Sequence, residues 1–189
     1  LQTGDFAGAR RLLLQACDDD ALPFRADSQI NGIIRKQANE RAARGLLFCD
    51  AEAALQEASP VRVAGRESFF EHVHFNFAGN YRLARLWAEQ VQRAMGAASS
   101  ASTWATQEEC EQRLGLTDFN RAYVLQSVMR RMEVPPLNSQ FNNRQRAQLL
   151  EDAERALQLR MNQPPAAEQA RKLIERAIRL RPGDAFLHE

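Results

Sequence analysis

Lysine is almost absent: Lys36 and Lys172 are the only two in 189 residues. Arginine supplies the remaining positive charge, a bias that reads as genome composition rather than function. Lys plus Arg is 25 against 24 for Asp plus Glu, a net charge of +1. A surface-wide electrostatic grip on nucleic acid is therefore excluded. Cysteine is also scarce. Cys17, Cys49 and Cys110 are odd in number and far apart, so they form neither a disulfide framework nor a metal cluster. No apolar run is long enough to span a bilayer. Disorder is excluded in turn, because 44% hydrophobic and 26% charged residues are the balance of a packed globular chain. The length suits one or two domains with a real core. There is no initiator methionine: the chain begins at Leu1 inside a helical pattern and ends at Glu189 as another helix starts. The expectation is a segment of a larger, bacterial-type protein.

The N-terminal half reads as helices separated by loops. Phe6, Ala9, Leu12, Leu13 and Ala16 share one face at helical spacing, and Asp18-Asp19-Asp20 followed by Pro23 ends that helix. A second helix starts at Asp27 or Ser28, either of which can cap it, and buries Ile30, Ile33, Ile34 and Ala38. Gly45 stops it. Leu46-Leu47-Phe48-Cys49 is a short continuous apolar run ending in Asp50, the pattern of a buried parallel strand. Helix, glycine, buried strand and a carboxylate at the strand's end is α/β order, in which sites gather at the carboxyl edge. Asp50 as a simple helix cap is the plainer alternative. A clear helix spans about residues 78–95, with Tyr81, Ala84, Leu86, Trp87 and Val91 as its apolar positions.

Residues 96–103, rich in Gly, Ala and Ser, form the best linker. Everything beyond it is expected to be helical. Thr106 to Glu109 fits a capping box, Thr117 caps a helix reaching about Met132, and the pairs Pro135-Pro136 and Pro164-Pro165 break the chain around a long helix. Leu114-Gly115-Leu116-Thr117-Asp118 between two helices has the outline of a helix-turn-helix. Arg121, Arg130 and Arg131 make no concentrated basic patch there, so a helical hairpin is favoured over a DNA reader.

The densest polar cluster is Phe69 through Tyr81. It holds His72, His74, Glu71, Asn76 and Asn80 among aromatics. Asn76 suits the N-cap of the following helix. An imidazole ahead of that N-terminus meets the positive end of the helix dipole, which favours a ring that accepts a proton. A carboxylate three residues earlier can fold back onto the ring and hold its tautomer. Two alternatives stand beside this reading. The histidines could simply bond backbone groups in a packed turn. His72 and His74 could also share a metal, although no neighbouring His or Cys supplies further ligands.

Two family resemblances follow from these residues. Ala170, Ala177 and Pro182 have the register of the second helix of a tetratricopeptide repeat, with Asp184 opening the next repeat, and Gly4, Phe6, Ala9 and Ala16 repeat that register. The run His74-Phe75-Asn76-Phe77-Ala78-Gly79 resembles the last conserved block of the SGNH (GDSL-like) hydrolases, a D-x-x-H turn followed by Asn, Gly and a terminal helix. The resemblance covers roughly residues 24–95 and implies serine-dependent ester hydrolysis or acyl transfer. His74 then matches the catalytic base and Glu71 the triad acid, with Glu in place of the family's Asp. No G-D-S or G-x-N-D block occurs here, so the nucleophile is expected outside this chain. The chemistry requires neither a metal nor an organic cofactor.

The expected architecture is an α/β fragment, the C-terminal part of an SGNH-like three-layer domain, followed by an all-α tetratricopeptide-like region, with helix predominating overall. Its parts are a repeat-like helix at residues 1–22, the hydrolase-like part at 23–95, a linker at 96–103 and the helical region at 104–189. The partners implied are an ester substrate and a peptide or protein on the helical repeats, with no nucleic acid and no membrane segment. A non-catalytic repeat scaffold carrying a degenerate α/β domain is the competing function.

Overall fold

The computed structural model describes residues 4–21, 23–96 and 104–188. The chain divides into two compact units, Leu1–Trp104 and Ala105–Glu189. The linker assigned to residues 96–103 lies, Gly96 apart, outside the described residues.

The first unit contains α1 (Phe6–Asp18), α2 (Ser28–Arg41), α3 (Ala51–Glu57) and α4 (Phe77–Ala94). Each starts where a short polar side chain satisfies an orphan backbone N–H. Asp5 accepts from Gly8, Asp27 from Ile30, Asp50 from Ala53 and Asn76 from Gly79. The α2 helix ends in a 3-10 turn closed by Gly45 at φ 85°, a left-handed position that glycine adopts without strain. Here α1 packs on α2, and α3 on α4.

The second unit contains α5 (Gln107–Arg113), α6 (Asp118–Met132), α7 (Asn143–Met161) and α8 (Ala166–Leu180). Thr106 with Glu109, and Thr117 with Asn120, form reciprocal capping boxes. The α6 helix lies along α7, and α5 lies against α8. The core is the α6 stripe Ala122, Leu125, Val128 and Met132 together with Leu157 and Ala177. Gly115, at φ 68°, turns the chain between α5 and α6, where a Cβ would stand 3.2 Å from that of Ala177. Arg121, on the second helix of this pair, is held by Glu111 at 2.5 Å. Asp184 caps a short 3-10 turn, Ala185–Leu187.

The predominantly helical character is as expected, but the α/β fragment is not supported. Among the described residues there is no strand, and the only β feature is an isolated antiparallel bridge between Phe69 and Phe75. Residues 46–49 form no strand, and Leu46 and Leu47 are 41% and 59% exposed. A four-residue run has no ladder of its own; its hydrogen bonds must come from a neighbouring strand, and none lies beside it among the described residues. The apolar stripes of the first unit also differ from expectation. Ala38 of α2 is buried, whereas Ile30, Ile33 and Ile34 are about half exposed, as are Leu12 and Leu13 of α1 and Trp87 and Val91 of α4. The buried apolar residues of this unit are instead Ala38, Leu55, Val61 and Phe69.

Candidate functional site

The segment from Gly65 to Asn76 is a tight loop folded against the start of α4. Its two arms are tied by backbone bonds: Phe70 N–H donates to the His74 carbonyl at 2.9 Å, and Asn76 N–H to the Ser68 carbonyl at 3.0 Å. The Phe69 and Phe75 rings stack across the arms with centroids 4.7 Å apart, and Phe70 meets Phe77 edge-on. Asn76 works in both directions. Its Oδ1 accepts from Gly79 N–H at 2.8 Å, and its Nδ2 donates to the Arg66 carbonyl at 2.9 Å. Arg82, one turn into α4, donates to the Ser68 hydroxyl at 3.2 Å and to the Glu67 carbonyl. The helix and the loop are thus joined through Phe77, Gly79 and Arg82 of α4.

At the tip of this loop the structure brings Glu71 and His74 together. The Glu71 side chain is 2% exposed and that of His74 53%. Glu71 Oε1 contacts His74 Nδ1, and Glu71 Oε2 accepts the Val73 N–H at 2.9 Å. Burial opposes ionisation of the Glu71 carboxyl. The backbone N–H groups of Val73 and His72, together with the His74 ring, outweigh that cost and hold it below the usual glutamate range. A carboxylate only accepts hydrogen bonds, so the proton between the two groups belongs to Nδ1. In the neutral ring Nε2, across from Nδ1, then carries the lone pair, on a side chain that is half exposed. A buried carboxylate on the Nδ1 of a half-exposed imidazole is an arrangement able to accept a proton at Nε2 when the ring is neutral.

His72 is turned differently. Its ring lies 5.2 Å from that of Phe24, tilted by 39°. Among the described residues no group of three or more His, Cys, Asp or Glu side chains could hold a metal ion. Asp50 serves α3 as its cap and also grips Arg35, through Nε at 2.7 Å and Nη2 at 3.2 Å, while Arg35 also reaches Glu52. The Arg35 hydrogen bonds hold the Asp50 carboxyl below its ordinary range. Asn31 spans back to the Ala26 carbonyl at 3.2 Å. Asp50 and Asn31 are thus engaged in tying α2 to α3 and in closing the start of α2.

Three residues support this loop through contacts that the sequence does not display. Gly79 is buried, and a Cβ on it would fall 2.1 Å from the Ser68 carbonyl oxygen. Ser68 is fully buried. Arg25 reaches the His72 and Ala64 carbonyls. The glycine inside a helical pattern was the one available signal of close backbone approach. One surface groove of the second unit runs past Thr117, Asp118, Arg160 and Leu173, and another past Gln126, Met132 and Asn143. His74 lines neither. No helix among the described residues is long and apolar enough to cross a membrane. Comparison with protein-family models, with curated proteins and with solved structures finds no match to this chain.

Proposed function

We propose that Glu71 and His74 form the acid–base half of a serine-type hydrolytic site, acting on esters or transferring acyl groups. One observation carries this reading: the buried Glu71 carboxylate holds Nδ1 of an otherwise exposed His74 ring. The SGNH resemblance of residues 71–79 agrees in the order acid, base, asparagine and glycine. In the reaction, Nε2 removes the proton of a serine hydroxyl as its oxygen attacks the ester carbonyl. The imidazolium formed is stabilised by Glu71 and returns the proton to the leaving alkoxide. The serine and the oxyanion-binding donors are supplied from outside these 189 residues. The larger α/β domain belongs to the same proposal, with residues 46–49 pairing only when further strands are present.

The test uses the longer protein that this reading requires. A fluorophosphonate probe should label one serine outside this chain, and labelling should be lost in His74→Ala. An unlabelled protein, or equal labelling of wild type and variant, would refute the proposal.

A second reading is a helical scaffold for a protein partner. It is favoured by the second unit, in which α5 packs on α8, where Gly115 and Ala177 come close, and α6 packs on α7. Binding to a partner should then be lost when the chain is ended at Gly96, and retained binding by that shortened chain would refute this role.

A further inference from the structure

We propose that Arg25 is the positioning residue of the Glu71–His74 pair, acting through the single peptide group that joins His72 to Val73. The inference rests on the acid–base reading above.

Arg25 lies between α1 and α2, forty-seven residues before His72. Its Nε donates to the His72 carbonyl and its Nη1 to the Ala64 carbonyl, the latter at 2.7 Å. The guanidinium carbon stands 4.0 Å from the centre of the Phe69 ring. Arg25 therefore holds both the approach to the loop, at Ala64, and its tip, at His72, while stacking on the buried ring between them.

The geometry of the tip makes this more than general packing. The His72 carbonyl and the Val73 N–H belong to one planar amide, and in a trans peptide they point in opposite directions. Arg25 takes the oxygen end of that plane; Glu71 Oε2 takes the N–H end at 2.9 Å. Turning the plane to release Arg25 swings the N–H off the carboxylate. Glu71 then loses one of the donors that keep it ionised while buried, and with it the fixed position from which it holds His74 Nδ1. A cation on the oxygen end also polarises the amide and strengthens its N–H as a donor. The chain of contacts runs guanidinium, peptide plane, carboxylate, imidazole. Lysine at position 25 carries one compact ammonium and cannot both bridge two carbonyls and lie flat on a ring.

The experiment reads the His74 ring itself, in the 189-residue chain labelled with nitrogen-15. Long-range proton–nitrogen correlation at a pH where the ring is neutral gives the populations of the two tautomers. Wild type should show an excess of the Nδ1–H form. Arg25→Met keeps hydrocarbon over Phe69 but removes the donors; it should lose that excess while the other amide signals of the unit keep their positions. Arg25→Lys should recover only part of it. Glu71→Gln is the arm that separates the two claims. If Glu71→Gln keeps the wild-type tautomer, the acid–base reading itself is wrong. If Glu71→Gln changes the tautomer but Arg25→Met and Arg25→Lys do not, the positioning role is overturned and the pair stands without it. Collapse of the whole unit's signals in both Arg25 variants also overturns it, in favour of a purely structural role.

Discussion

Replacing Gly79 with alanine places a methyl group 2.1 Å from the Ser68 carbonyl oxygen, 2.9 Å from its carbonyl carbon and 3.0 Å from Phe75 Cδ1. Two of these three atoms are backbone, and they have little room to retreat. Ser68 is fully buried, its carbonyl accepts the Asn76 N–H at 3.0 Å, and the adjoining residue Phe69 is bridged to Phe75. Alanine in a helix is intrinsically better than glycine by about 1 kcal/mol. Against that gain stand about 1–3 kcal/mol for overpacking and about 1 kcal/mol for the Asn76–Ser68 hydrogen bond if the arms part. The expected net is a loss of about 1–3 kcal/mol, a substantial share of the 5–15 kcal/mol typical of a folded domain. Gly32 is the internal control. It lies inside α2 with nothing within 4 Å of its would-be Cβ, so Gly32→Ala should stabilise by about 0.5–1 kcal/mol. Urea unfolding followed by far-ultraviolet circular dichroism gives both values. A Gly79→Ala chain as stable as wild type, or moving in step with Gly32→Ala, would refute the close approach of α4 to Ser68.

Asn76→Ala removes an N-cap acceptor and a bond to the Arg66 carbonyl, and should cost about 1–2 kcal/mol in the same urea assay; no loss would mean that α4 is capped otherwise. The folded Glu71, Asp50 and Asp118 carboxyls all lie below their ordinary range. Each therefore adds stability that is complete above the ordinary carboxylate pKa of about 4 and is lost as pH falls through the lower folded value. The urea midpoint should fall on acidification, less steeply in Glu71→Gln, and a midpoint rising toward low pH would contradict the assignment. Arg160 holds Asp118 with Nε at 2.7 Å and Nη2 at 3.3 Å, but its side chain is 57% exposed. A double-mutant cycle on this pair should give a coupling of at most about 1 kcal/mol that shrinks with added salt. Burial, reinforced by Asp18, raises the Cys17 thiol above its usual value, so alkylation at neutral pH should be slower than for a free thiol.

The caps were readable because a cap is a local device. Asp27, Asn76, Thr106 and Thr117 each bond an N–H three residues on, a distance that one stretch of sequence contains. The Glu71–His74 pair was readable for the same reason: three residues and a tight turn are enough to join a carboxylate to a ring. Burial was not readable in the first unit. Ile30, Ile33 and Ile34 have a core pattern, but which atoms cover a stripe depends on elements distant along the chain. Residues 46–49 carry a strand's composition, yet composition supplies no partner for the ladder. Arg25 was invisible because its carbonyl partners are thirty-nine and forty-seven residues away, and a carbonyl has no signature in a sequence. Gly79 could be noticed as an odd helical glycine, but not that a carbonyl stood against it.

Whether Glu71 and His74 act together as acid and base is decided by steady-state ester hydrolysis in the longer protein, comparing wild type with His74→Gln, Glu71→Gln and the double variant. Residues that act as one unit are non-additive. Each single change should therefore lower kcat by about a thousandfold or more with KM little changed, and the double variant should be scarcely worse than His74→Gln alone. Turnover that survives His74→Gln, or losses from the two single changes that simply multiply, would contradict the claim.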